Sequence, residues 1–535
     1  MSLSKIGMMK KVFLLYLCVL FIGLASCDDF LEEYSQNQVY AETAQDLNEL
    51  LIGECFMSAQ RVYVSNQGTM STTGIIYNYP WLHVMDDDSE EFLVGEVALS
   101  VASPRNVLGA FHHWKSDPFS TLENKQYKDN DWERFYGYIA VLNSIIYRAD
   151  ELRSKEKDIE LLDKVEGEAR FLRAGYYFLL VNIYGKPYCK ATANKDGGVP
   201  LKISEVIEDK YFSRDPVGAV YAQMVTDLKR ATTCLENVVP VSSLRVSSAA
   251  AQALLSRVYL YMEEYELAVT AADEVLADSY DVLDLNNWSA GKNVIYRNSL
   301  ETIFTQGGNS IPVTFLNDSV SPWNGDDRRA SSYQVSDDLL ACYDPSDLRR
   351  NAFFKFSAKT RATLPSKYRT WNVADDKEQV GEDFLIRLPE VILNKAEALA
   401  MLKRDDEAKI ELQKIRSKRF KAADLKPVIE TGEDLVNFIR EERRRELCFE
   451  GHRWFDLRRY AVNSIYPLSR DFSIKHPSYS YEANTQTWYV DGYYELNSYA
   501  DDEAAWIVPI PNYAIEFNKG SLQNEIRPTR DPKRD

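Results

Sequence analysis

The sequence predicts a mostly α-helical protein: a scaffold of paired helices that carries long loop-rich insertions. Three observations predict it. Several segments repeat apolar residues with the 3.6-residue period of an amphipathic helix. Two of them fold back as helical hairpins with alanines at close-packing spacing. Between the helices lie residues 62–127, 280–384 and 461–535, rich in Ser, Thr, Gly, Asn and aromatic residues, and loops held by a rigid scaffold are where binding usually resides.

The helices follow in chain order. Residues 131–150 place Trp132, Phe135, Ile139, Leu142, Ile145 and Ile146 on one face. Residues 165–184 form a second helix, stopped by Gly185 with Pro187 just beyond. Residues 216–235 form a third. Residues 246–276 read as a hairpin. Ala251, Leu254, Leu255, Val258 and Tyr259 line its first arm, the turn runs from Met262 to Tyr265, and Leu267, Ala268, Ala271, Ala272 and Val275 line the second arm. This pattern resembles a tetratricopeptide repeat. A second hairpin covers 389–420, with Ala396, Leu399 and Ala400 before the turn and Ala408, Leu412 and Ile415 after it. Pro389 is acceptable there as a first-turn residue. A last pair covers about 434–460. The paired helices therefore occupy roughly 131–276 and 389–460, as degenerate repeats separated by insertions.

The N-terminus reads as an export signal. Lys5, Lys10 and Lys11 precede an apolar run from Val12 to Leu24, which is too short to span a bilayer comfortably. Leu24-Ala25-Ser26-Cys27 looks like a lipobox, so residues 1–26 are expected to be removed and Cys27 to carry the lipid. Acyl chains hold a protein on a membrane without a transmembrane helix, at about 0.8 kcal/mol per buried CH₂. Loss of the three lysines and no acid takes the net charge from −18 to −21. Cys55, Cys189, Cys234, Cys342 and Cys448 then remain, widely spaced, with neither a disulfide framework nor a CxxC metal site.

Composition narrows the function classes. Hydrophobic residues make up 45% of the 535-residue chain and charged residues 27%, which is too apolar for disorder. The acidity argues against a nucleic-acid partner and against a polybasic lipid-binding patch. Tyr (33) outnumbers Phe (23), and Trp adds 9. Tyrosine has an apolar face and a polar tip, which suits a wet binding surface as well as a core.

Five blocks together resemble the SusD/RagB family of Bacteroidetes surface lipoproteins. Cys27 is followed by Asp28-Asp29-Phe30-Leu31-Glu32. Asp131-Trp132 through Asn143 is similar to the family's first helix. Arg170 to Gly185, followed by Val199-Pro200-Leu201, matches the next block. Glu441 to Tyr460 is the strongest match, with Glu446, Leu447, Glu450, Gly451, Arg453, Asp456, Leu457 and Arg458 in place. Trp506 to Pro511 and Leu522-Gln523-Asn524 match the usual ending. Pro389-Glu390 departs from the family's Tyr-Ala-Glu-like helix entry. The resemblance implies a single domain over residues 27–535, a tetratricopeptide-like scaffold with a loop-rich ligand face, and lipid anchoring on the exterior of the outer membrane. It also implies an oligosaccharide ligand and a SusC-like TonB-dependent transporter as partner. Peptide or protein-derived glycan cargo, and a protein-interaction scaffold, are the alternatives.

The remaining residues carry weaker signals. Charges in the Arg-rich block sit at helical ion-pair spacing, as in Glu441–Arg445 and Glu442–Arg445, so a bracing role is the simpler reading. The run Asp86 to Glu91 lacks the EF-hand spacing and reads as a solvated loop. No HExxH, GxSxG, P-loop or Rossmann fingerprint appears, and no carboxylate pair is singled out. No catalysis, metal or cofactor is therefore expected. Sugar binding uses exposed aromatic platforms. By the family analogy the favoured tryptophans are Trp323 and Trp114, then Trp81 and Trp288. Asn324, Asp326 and Arg328 would be hydroxyl partners, and His113 would lie beside Trp114 in the binding surface.

Overall fold

The periodic segments become helices whose ends obey capping chemistry. The computed structural model describes residues 41–57, 78–93, 104–127, 129–290, 292–296, 299–308, 310–315, 333–358, 361–367, 381, 384–485 and 487–534. The expected lipidation site Cys27, and the loop carrying Trp323, Asn324, Asp326 and Arg328, lie outside these residues. Helices α1 (Ala44–Glu54) and α2 (Pro104–His112) come first. Helix α3 (Asp131–Leu152) buries the whole predicted face from Trp132 to Ile146. Helix α4 (Ile159–Tyr184) begins before the predicted Val165, because the Asp158 carboxylate caps it by accepting the Leu161 N–H at 2.9 Å. It ends at Gly185 as predicted.

Helix α5 spans Val217–Cys234, and the first hairpin is α6 (Ser248–Tyr261) and α7 (Tyr265–Leu276). Its turn holds Glu263 in the left-handed region, with φ 58°. Leu267 corrects the sequence reading: it is 45% exposed. Ala268, Ala271, Ala272 and Val275 form the inward stripe at i, i+3, i+4 and i+7. Leu267 precedes that stripe by one residue, about 100° around the helix. The second hairpin is α8 (Leu388–Met401), with Pro389 in its first turn, and α9 (Asp405–Arg419). Helices α10 (Gly432–Leu447) and α11 (Arg453–Ala461) complete the pairs.

Each helix packs on its neighbour in sequence from α3 to α9. Helix α8 also meets α10, and α1 lies on α3 and α4. A pair with apolar residues on both faces cannot bury them alone, so stacking produces one continuous core. Residues 44–535 form one compact unit. No described helix is long and apolar enough to cross a membrane.

The Arg-rich block is structural in detail. Glu446 is fully buried and receives Arg387 at 2.8 Å, Arg419 at 2.8 Å and Arg349 at 3.0 Å. Arg443 pairs with Asp456 at 2.7 Å, joining α10 to α11. The expected intrahelical pair Glu442–Arg445 forms at 2.9 Å, but most of these arginines reach out of their own helix. Arg458 donates to the Asn182 and Gly185 carbonyls and so closes the C-terminus of α4.

The loop-rich segments hold more regular structure than their composition suggests. Strand β1 (Ser89–Glu91) pairs antiparallel with β2 (Tyr333–Val335). Strands β3 (Ile474–Glu482) and β4 (Thr487–Leu496) form a long hairpin inside 461–535. The pairing shifts between Ser478 and Tyr479, and the bulge places Gly492 at φ 148° against the short strand Lys533–Arg534. A Cβ on Gly492 would lie 2.0 Å from the Lys533 carbonyl oxygen, so glycine is required there. The last helix used below is α12 (Asn512–Phe517).

Candidate functional site

Strand β1 is the base of the site. The acidic run that leads into it is not a solvated loop, because Asp86, Asp88 and Glu91 are buried. Burial alone would raise Asp87, but Arg444 and Arg453 outweigh it and hold its carboxyl below the usual range. Asp88 accepts from Arg444 at 2.8 Å. Asp86 is pushed the other way by burial and by its two acidic neighbours. The three carboxylates sit close enough to share an ion. Two guanidinium groups already supply the compensating charge. The same holds for Asp163, Glu166 and Cys234, where Arg153, Arg170 and Arg230 converge on Glu166.

From this base the structure separates the predicted site residues. Trp81 is fully buried and stacks on Phe111 with centroids 5.0 Å apart. Trp114 is 1% exposed, donates its indole N–H to the Met85 carbonyl at 2.9 Å and stacks on His476. Neither offers a face to a ligand, which corrects the expectation that they form the platform. Both were read as loop residues, yet Trp81 lies within a short 3-10 helix (Pro80–Val84) and Trp114 follows the end of α2. His113 is buried as well. It stacks on Tyr494 at 3.9 Å and its Nε2 lies 3.3 Å from Glu91. Burial first, and the Arg105 charge next, hold its imidazole well below the usual range. Trp288 is half-buried and donates to the Lys292 carbonyl at 3.0 Å. It follows Asn286, which donates to the carbonyls of Ser417 and Phe420 at the end of α9. Its segment is therefore fastened to the end of α9.

The exposed aromatic group lies on the β3–β4 hairpin. Tyr481 and Trp488 are direct cross-strand partners with rings 5.2 Å apart, and Tyr481 is 47% exposed. Tyr489, the next residue on β4, is 49% exposed but projects from the opposite face of the hairpin. The Arg105 guanidinium sits 5.1 Å over the Trp488 ring and pairs with the buried Glu91. Glu91 thus ties the platform's cation to β1, while Gln334 on β2 donates to Glu90 at 2.6 Å. The hairpin also touches β1 directly. The platform stands beside the strands that flank residues 94–103 and 316–332. Trp488 falls in the loop-rich segment 461–535, which composition alone does not resolve into a platform. The signal was the run of Tyr479, Tyr481, Trp488 and Tyr489, whose pairing depends on strand register.

Comparison with known proteins agrees with this architecture. Residues 344–526 match the model of the SusD family, and residues 29–260 match a model described as starch-binding, associating with the outer membrane. Both segments of the chain are thus similar to SusD-type families. SusD-like protein P2 of Formosa agariphila is 25% identical over 62% of this chain and 72% of its own length. The crystal structure of a SusD superfamily protein from Bacteroides thetaiotaomicron superposes with a TM-score of 0.65 at 21% identity, covering 92% of this chain and all of that one. A SusD-like carbohydrate binding protein from Bacteroides vulgatus superposes with a TM-score of 0.60 at 17% identity, over 89% of this chain and 97% of its own. At these identities the solved structures establish the shared helical fold.

Proposed function

We propose that this protein is a non-catalytic binding lipoprotein that captures oligosaccharide at the cell surface and delivers it to a SusC-like TonB-dependent transporter. The observation that carries the binding reading is the cross-strand Tyr481–Trp488 pair. It is an exposed aromatic surface backed by Arg105 and set beside the strands that lead to the Trp323 segment. Exposed aromatic surface of this kind is costly unless a ligand covers it, and a pyranose C–H face fits it. The anchor would be the lipid on Cys27, and Asn324, Asp326 and Arg328 would meet sugar hydroxyls. The relatives' names support carbohydrate as the ligand class.

The test is calorimetric titration of the purified protein against a panel of soluble polysaccharides, followed by Trp488→Ala and Trp323→Ala. Binding weakened by either substitution, with no product released on long incubation, supports the reading. Flat titrations across the panel, or release of shortened sugars, would overturn it.

A further inference from the structure

A second aromatic-walled hollow lies on other elements of the fold. Its volume is about 450 Å³, within the range of a binding pocket. Trp132 and Tyr136, one turn apart on α3, form one wall with rings 4.9 Å apart. Tyr513 and Phe517 of α12 form the opposite wall, and Phe212 and Leu522 close it. Phe517 is 71% exposed, and the apolar collar continues through Tyr211, which is 51% exposed and lies under the Lys519 ammonium.

The polar atoms around this hollow are engaged within the chain. The Tyr136 hydroxyl donates to the Pro200 carbonyl at 2.7 Å. Asn518 accepts the Phe212 N–H at 2.7 Å and donates to the Ala514 carbonyl at 2.8 Å. Lys202 is paired with Glu208 at 2.7 Å. The exposed Glu133 carboxylate at the mouth has no hydrogen bond or ion pair among the described residues. A sugar needs several hydroxyl partners and would find one. A bulky apolar side chain needs none, and a basic neighbour would meet Glu133 on a chain whose net charge is already −18.

We infer that this hollow is a docking pocket for a protein partner that inserts an aromatic side chain flanked by basic residues. The inference stands apart from the glycan reading, because it uses none of the β3–β4 platform.

The test uses the full chain and three capped probes, Ac-Lys-Trp-Lys-NH₂, Ac-Glu-Trp-Glu-NH₂ and maltoheptaose, read by NMR titration. The basic peptide is expected to bind and the acidic one to bind about tenfold more weakly. Phe517→Ser should weaken the basic peptide about tenfold, and Glu133→Gln should erase the preference between the two peptides. Phe517 is exposed, so its variant should keep the parent melting temperature; Tyr513→Ala provides a second variant if it does not. Three results would overturn the inference: no peptide binding, equal binding of both peptides to the parent, or maltoheptaose binding that Phe517→Ser removes. A concentration-dependent dimer dissolved by Phe517→Ser would overturn it too, by assigning the pocket to a second copy.

Discussion

Arg453 holds Asp87 by two parallel hydrogen bonds, with Nε and Nη2 each 2.7 Å from a carboxylate oxygen. Arg444 adds a bond to Asp88 at 2.8 Å and another to the Asp87 carbonyl. Residues more than 350 positions apart in the chain are thus clamped together, fixing β1 to the α10–α11 pair.

Removing one partner of this clamp should be costly, because the other charge is left buried. Asp87→Asn or Arg453→Met is expected to lower stability by about 3–5 kcal/mol. The double variant Asp87→Leu with Arg453→Met should lie closer to the parent than either single variant. Urea denaturation of the set checks this; an additive double variant would contradict it.

Acid should weaken the core before it affects the surface. Burial alone would raise Glu442, but Arg349, Arg445 and Arg416 outweigh it and hold the carboxyl at about 2. Glu166 is also held at about 2, by Arg230 and Arg170 against partial burial. Both pKa values are depressed on folding, so their stabilisation is fully present above the ordinary carboxylate pKa of about 4.3 and is lost as pH falls towards 2. Urea midpoints measured at pH 7, 4.5 and 3 should fall mainly in the last interval, and Arg349→Met should bring the fall to higher pH.

Gly492→Ala tests the bulge. The new methyl would meet the Lys533 carbonyl oxygen and force an L side chain to φ 148°. Strain of this kind costs about 1–3 kcal/mol. Hydrogen exchange should accelerate at Lys533 and Arg534, while the helical core keeps its protection.

The tryptophans should separate by role. Trp114→Ala is expected to cost about 3–5 kcal/mol of stability through the cavity it leaves. Trp488→Ala should leave the melting temperature nearly unchanged and weaken glycan binding about tenfold, the order of an aromatic contact of about 1 kcal/mol. A Trp114 variant that melts like the parent but loses binding would return that residue to the ligand face.

What the sequence determined by itself is what depends on near neighbours along the chain. The buried face of α3, the turn between α6 and α7, the stop at Gly185 and the first-turn position of Pro389 all follow from 3.6-residue periodicity and backbone chemistry. These signals act over a few residues, so one sequence carries them. Tertiary structure decided which aromatics are core and which are surface. Trp81 and Trp114 sit in a loop-like composition, yet Phe111 and His476 cover their faces. Tyr481 and Trp488 meet only because β3 and β4 pair in one register around a bulge at Asp491, next to Gly492. The same long-range folding turned an acidic run that reads as solvated into a buried clamp, because its arginine partners come from the far end of the chain. Burial is a property of what packs against a residue, and that partner is not written beside it in the sequence.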